Sequence, residues 1–190
     1  MNSTNKPLVQ SMNKISSQEI FKKYLKKIGS GQITGKSLSR EESAHALELM
    51  LQSKASSTQI GAFMMAHRIR RPEPEELAGM IDTYKKLGPK INTFEHLRRP
   101  ICFGMPFDGR NKFAPIYPLT SLVLLCAGQP VVLHGGKRMP VKFGVTTTEL
   151  YESLGLDLIG LQITDVEEGL NQNGFACIYQ PDHFHLAENL

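Results

Sequence analysis

The sequence has few cysteines and no long apolar run. Its three cysteines, Cys102, Cys126 and Cys177, lie far apart, so the 190-residue chain has neither a paired-cysteine metal motif nor a disulfide framework. Each has apolar neighbours, which predicts buried free thiols in a reducing cytoplasm. No apolar run approaches the ~18 residues of a membrane span. The polar residues 1–15 lack the apolar region of a secretory signal and are predicted to be a disordered tail.

Positive charge is unevenly placed along the chain. The formal net charge is +4, but residues 1–100 carry 17 Lys and Arg against 9 Asp and Glu, whereas residues 101–190 carry 5 against 9. Neither Lys nor Arg occurs between Glu149 and Leu190. A basic N-terminal half can attract nucleic acid or another polyanion, and the alternative is that these side chains form a solvated face.

Helical periodicity dominates residues 16–90. Four amphipathic helices are predicted, at 16–28, from Ser39, at 57–70 and at 74–87, with capping boxes at Ser16 and Ser39. The apolar positions predicted to face inward are Ile20, Phe21, Tyr24, Leu25 and Ile28, then Ala44, Leu47, Met50 and Leu51, then Ile60, Phe63 and Met64, and finally Leu77, Met80, Ile81, Tyr84 and Leu87. Because each helix keeps a polar face, the four are predicted to pack on one another as a bundle.

The spacing of the apolar residues changes after Pro89. The sequence predicts short strands at 100–104, 130–133 and 175–179, which alternate with helices at 117–127, 146–154 and 165–170. This alternation indicates parallel βα units. The predicted fold is therefore a helical bundle domain, residues 16–90, followed by an α/β domain with a mainly parallel sheet, residues 91–190. Because about three strands are few for such a sheet, we expect this domain to be incomplete or to be completed by another copy.

Two basic, glycine-containing turns follow the first two predicted strands, DGRNK at 108–112 and HGGKR at 134–138. In parallel sheets ligands bind beyond the carboxyl ends of the strands, and turns that lead into helices present free backbone amides to phosphate. The candidate phosphate-binding residues are Asp108, Gly109, Arg110, Asn111, Lys112, His134, Gly135, Gly136, Lys137 and Arg138. The alternatives are an ordinary surface turn at 108–112 and a strand-capping role for His134.

The residues themselves indicate neither a metal site nor a catalytic group. His183 and His185 would face the same way in a strand, but no third ligand is near them in the sequence. No Ser-His-Asp or Cys-His arrangement can be placed and no general base stands out, so we assign no catalytic residue.

Four segments occur in a characteristic order. They are SREESAHALELMLQSKASSTQIGAFMMAHRIRRPEPEELAGMI at 39–81, GQPVVLHGGKR at 128–138, ELYESLGLDL at 149–158 and GFACIYQPDHFH at 174–185. Together they resemble the anthranilate phosphoribosyltransferase and pyrimidine nucleoside phosphorylase superfamily, over roughly residues 16–190. The resemblance implies a cleft between a helical and an α/β domain that holds phosphoribosyl diphosphate with magnesium and an aromatic amine or nucleobase. It also implies a homodimer through the helical domain and a place for His183 beside the acceptor pocket.

The chain departs from the family pattern where the family binds diphosphate. The glycine loop of the enzymes has the form GTGGDG, whereas residues 104–109 here are GMPFDG, in which Pro106 lacks a backbone donor and Phe107 is bulky. Leu133 takes the place of a lysine. These changes resemble a divergent branch with a PxDGR-type loop, some of whose members are associated with nucleic-acid binding. The magnesium-binding acids of the family belong to a later segment, so magnesium is expected only if a further C-terminal part supplies them.

Two functions follow from this comparison. The resemblance implies a transferase of the tryptophan-biosynthesis type, which moves a phosphoribosyl group from phosphoribosyl diphosphate to an amine or base by positioning and charge stabilisation. The departures argue against ordinary activity. The alternative is a non-catalytic member that binds nucleic acid or nucleotides through the basic helical half and the basic residues between 110 and 142.

Overall fold

The computed structural model describes residues 16–31, 33–93, 98–104, 115–138 and 144–190. They form two compact units, and the division between the units falls between Asp82 and Thr83. The first unit is helical, with α1 (Ser17–Gly29), α2 (Arg40–Leu51), α3 (Ser57–Arg70) and most of α4 (Pro74–Leu87). The division lies inside α4, and the domain boundary after residue 90 stays a prediction.

Serine side chains cap the first three helices. Ser16 Oγ accepts a hydrogen bond from the Glu19 amide at 3.2 Å and so begins α1. At α2 the cap is reciprocal, because Ser39 Oγ accepts from the Glu42 amide while the Glu42 carboxylate accepts from the Ser39 amide at 2.8 Å. Ser56 and Gln59 form the same box at α3. These local bonds explain why the helix starts could be predicted from the sequence.

The core of the helical unit lies between α1, α2 and α3. Phe21 of α1 and Phe63 of α3 are buried with their ring centroids 5.4 Å apart. Leu51 of α2 is fully buried in the same unit. A close backbone contact brings α4 to α2, since a Cβ atom on Gly79 would lie 2.1 Å from the Arg40 carbonyl oxygen. Only glycine therefore fits at position 79 in this packing.

The predicted inward face of α4 is wrong. Leu77 and Ile81 are 45% and 52% exposed, whereas Glu76, Gly79 and Thr83 are buried. The close approach at Gly79 and the hydrogen bonds of Glu76 select this polar face over the apolar one. Two other predicted core positions, Met64 and Tyr84, are also exposed.

A buried ion pair links several elements of the helical unit. The Glu76 carboxylate is fully buried and accepts hydrogen bonds from Arg70 of α3 and from the amides of Leu38 (3.0 Å) and Glu73 (2.8 Å). The Glu76 carbonyl accepts from Ser43 Oγ of α2 at 2.7 Å. Burial raises the pKa of Glu76, but these hydrogen bonds outweigh burial and hold it below its ordinary value of 4.5.

The second unit is built on a parallel sheet. Its strands are β1 (Ile101–Gly104), β2 (Val131–Gly135) and β3 (Phe175–Tyr179), in the order β1-β2-β3 with both pairs parallel. The helices are α5 (Tyr117–Cys126), α6 (Thr147–Glu152), α7 (Ile163–Asn173) and α8 (Gln180–His183), followed by a 3-10 helix, His185–Asn189. The predicted fold class, a helical bundle followed by a partial parallel α/β unit, is confirmed. α7 is longer than predicted because it runs on to the left-handed Gly174 (φ 70°).

Apolar clusters pack on both faces of the sheet. Val131, Leu133 and Cys177 pack with Tyr151 of α6 and Leu158. The alternate strand residues Val132 and Ala176 pack with Val166 and Leu170 of α7. Because successive strand residues point to opposite faces, helices on both faces are needed to bury them.

The prediction that all three cysteines are buried is wrong for two of them. Cys177 is buried, and burial raises the pKa of its thiol to about 12. Cys102 and Cys126 are exposed because Cys102 lies in β1, at one side of the described sheet, and Cys126 ends α5. The outer face of α5 also exposes Leu119 and Val123. No helix in the described part of the chain is both long and apolar enough to cross a membrane.

The Glu76 network predicts a specific loss of stability. Glu76→Ala removes the buried carboxylate that the half-buried Arg70 and two backbone amides bind, and it is expected to lower the free energy of unfolding by ~3–5 kcal/mol at neutral pH. The folded-state pKa of Glu76 lies below 4.5. The stability that the ionised carboxylate contributes is therefore fully present above pH 4.5 and is lost as the pH falls through the folded-state pKa. The difference between wild type and Glu76→Gln should therefore shrink in acid, as measured by urea unfolding across pH.

The neighbouring exposed Glu75 provides the control for this prediction. Glu75→Ala should change the free energy of unfolding by less than ~0.5 kcal/mol. Equal losses for the two alanine variants, or a Glu76→Gln difference that does not depend on pH, would contradict the role given to the buried pair.

Candidate anion site at the carboxyl edge of the sheet

The strand register brings the HGGKR turn to the carboxyl edge of the sheet. Gly104 of β1 pairs with His134, and Gly135 pairs with Tyr179 of β3. β2 thus runs two residues beyond its predicted end at Leu133, because His134 pairs with β1 and β3 and Gly135 still pairs with β3. Gly136, Lys137 and Arg138 leave the sheet directly after it.

His134 lies over the end of β1. The His134 side chain is exposed, but its ring lies close to Gly104. A Cβ atom added to Gly104 would lie 3.1 Å from His134 Nε2 and 3.3 Å from Cε1. The absence of a side chain at Gly104 therefore makes room for the imidazole. The surrounding protein lowers the pKa of His134 by desolvation, which favours the neutral ring.

Lys137 projects from the turn and pairs with an acid from the 3-10 helix. Its Nζ lies 2.7 Å from Glu188 Oε2, and the Lys137 side chain is 67% exposed. The hydrogen bond that Lys137 donates to Glu188 raises the pKa of Lys137, so the side chain stays an ammonium ion.

Arg138 pairs with the acid that caps α6. Arg138 Nε and one terminal nitrogen each lie 2.7 Å from Glu149 Oε1. Glu149 Oε2 accepts from the Thr146 amide at 2.8 Å and from Thr146 Oγ1 at 2.9 Å. The Arg138 hydrogen bond, with those of Thr146, lowers the pKa of Glu149 to about 2 although partial burial opposes it.

Sequence reasoning missed both carboxylates. Glu149 could have been found, because Thr146 and Glu149 have the spacing of a capping box at a predicted helix start. Glu188 has no local signal, since it meets Lys137 only through the tertiary fold. The buried hydroxyls of Thr146, Thr147 and Thr148 also line this helix start.

His183 is engaged within the chain. Its Nδ1 accepts from the Tyr179 amide at 3.0 Å, and its Nε2 donates to the Leu161 carbonyl at 2.9 Å, because an amide can only donate and a carbonyl can only accept. The adjacent Asp182 accepts from the Gly160 amide at 2.7 Å. His183 ends α8 and His185 begins the 3-10 helix, so the two do not alternate in a strand. The acceptor-side role of His183 stays a prediction.

The other predicted turn, residues 108–112, lies outside the described residues, as does Lys142. The described part of the chain contains no group of three or more His, Cys, Asp or Glu side chains that could hold a metal ion. The acids at the sheet edge, Glu149 and Glu188, are paired with cations instead.

Comparisons with known proteins agree with this architecture. Residues 22–88 match the glycosyl transferase family, helical bundle domain. Anthranilate phosphoribosyltransferase of Acetivibrio thermocellus is 32% identical over 157 residues, which is 83% of this chain and 44% of that enzyme. The Rhodopseudomonas palustris enzyme of the same name is 28% identical over 159 residues, again 83% and 44%. The chain is therefore similar to anthranilate phosphoribosyltransferases over most of its own length.

Two solved structures of anthranilate phosphoribosyltransferases share the fold of this chain. Anthranilate phosphoribosyltransferase from Thermus thermophilus superposes with a TM-score of 0.72 at 21% identity, covering 90% of this chain and 48% of that one. The Saccharomyces cerevisiae enzyme, in complex with PRPP and Mg, gives 0.63 at 20% identity, covering 89% and 48%. This chain spans about half the length of the relatives that it matches.

The contact between Gly104 and His134 is testable by titration. In the wild type the His134 ring should titrate below the ordinary 6.5, and in Gly104→Ala the added methyl should push the ring toward water and bring its pKa nearer to 6.5. NMR of the imidazole protons measures both values. Gly61→Ala is the control, because a Cβ atom there meets open space. An unchanged His134 titration in Gly104→Ala would show that Gly104 does not set its environment.

Proposed function

We propose that this chain binds a ligand of the phosphoribosyl diphosphate type at the carboxyl edge of its parallel sheet. The observation that supports this most is the place of the HGGKR turn, directly beyond the middle strand in a chain similar to anthranilate phosphoribosyltransferases over 83% of its length. Ligands of parallel α/β sheets bind at this edge. The yeast relative is described in complex with PRPP and Mg.

In this proposal each of the two basic turns binds a different part of the ligand. Gly135, Gly136 and Lys137 of the second turn contact one phosphate, and His134 donates to the same group or to the ribose. The first turn follows β1 in the chain, and β1 pairs with β2. Arg110 and Lys112, which lie outside the described residues, supply charge to the other phosphate, with Asn111 as a hydrogen-bond donor and Asp108 and Gly109 next to them in the sequence.

We propose that transfer is slow even where binding occurs. In the reaction the acceptor nitrogen forms a bond to the sugar carbon while the carbon–oxygen bond breaks and diphosphate leaves with the electron pair, and the nitrogen then releases a proton to solvent. Cations that stabilise the departing diphosphate lower the barrier. Here Lys137 and Arg138 each carry a counter-carboxylate, and GMPFDG replaces the glycine loop. Magnesium would need carboxylates beyond those described, or would arrive with the diphosphate.

We further propose that the helical domain, taken as residues 16–90, forms a homodimer. α3 exposes Met64, Met65 and Ile69, and a groove of about 910 Å³ lies between α1 and α3. Its apolar lining includes Leu25 and Met65. Exposed apolar surface of this kind commonly marks a protein interface.

Nucleic-acid binding is the second candidate, and of the two regions predicted for it, the basic helical half and the basic residues between 110 and 142, we propose the helical half. Lys22, Lys23 and Lys26 are exposed on α1, and Arg68 and Arg71 are exposed at the end of α3. A cluster of exposed cations attracts a phosphate backbone without sequence preference. This candidate needs neither the sheet edge nor magnesium.

Two sets of variants separate these candidates in one binding assay. Lys137→Ala, or Arg110→Ala with Lys112→Ala, should weaken phosphoribosyl diphosphate binding severalfold through lost charge–phosphate contacts and leave binding of a single-stranded oligonucleotide unchanged. Lys22→Ala with Lys26→Ala should do the reverse, and oligonucleotide affinity should fall steeply with salt. Titration calorimetry at low and high salt measures both ligands, and each set is the control for the other.

The outcome decides which function stands. Loss of phosphoribosyl diphosphate binding only in the α1 variant, or no binding at any salt, would contradict the sheet-edge site. Rapid product formation from anthranilate, phosphoribosyl diphosphate and magnesium would contradict slow transfer.

A further inference from the structure

We propose that the two cations of the HGGKR turn have different roles. Lys137 contacts the anionic ligand, Arg138 is a structural residue, and Glu188 occupies the ligand's place on Lys137 in the free protein. This inference rests on the proposed function, because it assigns roles within the same site. It follows from how the two ion pairs are built.

Arg138 is held in a network that also begins α6. Its guanidinium binds Glu149 Oε1, and the other oxygen of the same carboxylate accepts from the amide and hydroxyl of Thr146. Thr146 Oγ1 in turn accepts from the Glu149 amide and lies 3.2 Å from Thr148 Oγ1. A ligand that drew Arg138 away would leave the capping carboxylate without its cation. Arg138 is therefore a positioning residue for the helix start.

Lys137 is held much more loosely. Its ammonium meets Glu188 Oε2 at 2.7 Å with two thirds of the lysine side chain exposed to solvent. Glu188 Oε1 accepts from Gln180 Nε2 at 3.2 Å, and Glu188 caps no described helix. The Glu188 side chain is 28% exposed and the Glu149 side chain 35%, so the two pairs differ in their number of hydrogen bonds rather than in burial. A single contact from an exposed ammonium contributes little net stability, so the Lys137 pair can exchange at small cost.

The position of Glu188 lets it compete with anionic ligands for Lys137. A carboxylate tethered in the same chain acts at a high effective concentration, so a ligand must exceed it in charge or in number of contacts. A diphosphate does both, because it brings several oxygens to Lys137 and to the Gly135–Gly136 backbone. We therefore expect the turn to select diphosphates over singly charged anions, and Glu188 to set that threshold.

Titration calorimetry with inorganic pyrophosphate tests the assignment on the full chain. Glu188→Gln keeps the shape of the side chain and its contact with Gln180, and it should bind pyrophosphate about two- to fivefold more tightly, the range expected for an exposed pair. Adding Lys137→Ala to Glu188→Gln should abolish that gain. Arg138→Ala should lower the midpoint of thermal unfolding and change pyrophosphate affinity less than Lys137→Ala does.

Glu168→Gln is the matched control, since it removes one exposed negative charge from α7 in the same unit. An equal gain in Glu168→Gln would show a net-charge effect and overturn the role of Glu188. Unchanged affinity in Glu188→Gln, with weaker binding in Lys137→Ala, would overturn this inference and leave the proposed function standing. Arg138→Ala that binds as weakly as Lys137→Ala would overturn the division of roles. No pyrophosphate binding in wild type or Glu188→Gln would overturn both.

Discussion

The parallel pairing of β2 with both of its neighbours is the constraint on which the candidate site depends. It sets His134 beside Gly104 and Gly135 beside Tyr179, so the chain leaves the sheet with Gly136, Lys137 and Arg138 at one edge. A one-residue slip would turn Val131 and Leu133 out of the core, which the apolar clusters on the two faces prevent. The packing of the sheet thus fixes the place of the turn.

Several cations of the described residues are paired with carboxylates of their own unit. In the helical unit, Arg70 pairs with the buried Glu76, and Arg40 binds Asp82 with distances of 2.6 and 3.0 Å. In the sheet unit, Lys137 and Arg138 pair with Glu188 and Glu149. The number of basic residues therefore overstates the unpaired positive charge that an anion can contact. Among the described cations, the lysines on the exposed face of α1 and the loosely held Lys137 belong to those that a ligand reaches at small cost.

Sequence reasoning succeeded where the determining forces are local. Serine caps and helical periodicity placed the four helices, and short apolar runs placed the strands. It failed where a contact with a residue far away in the sequence determines the arrangement. The face of α4 was assigned from its apolar stripe, but Glu76 and Gly79 turn the polar side inward through contacts with Arg70 and Arg40. Glu188 contacts Lys137 only in the folded chain, and no pattern in the sequence predicts this ion pair.

The central claim is that the carboxyl edge of the sheet binds an anion, and amide NMR during a pyrophosphate titration tests it most directly. The account predicts saturable shifts centred on the amides of Gly135, Gly136 and Lys137, with little change along α1, because the proposed site places the ligand against these residues. Shifts confined to Lys22–Lys27 of α1, or none at the turn at saturating pyrophosphate, would contradict it.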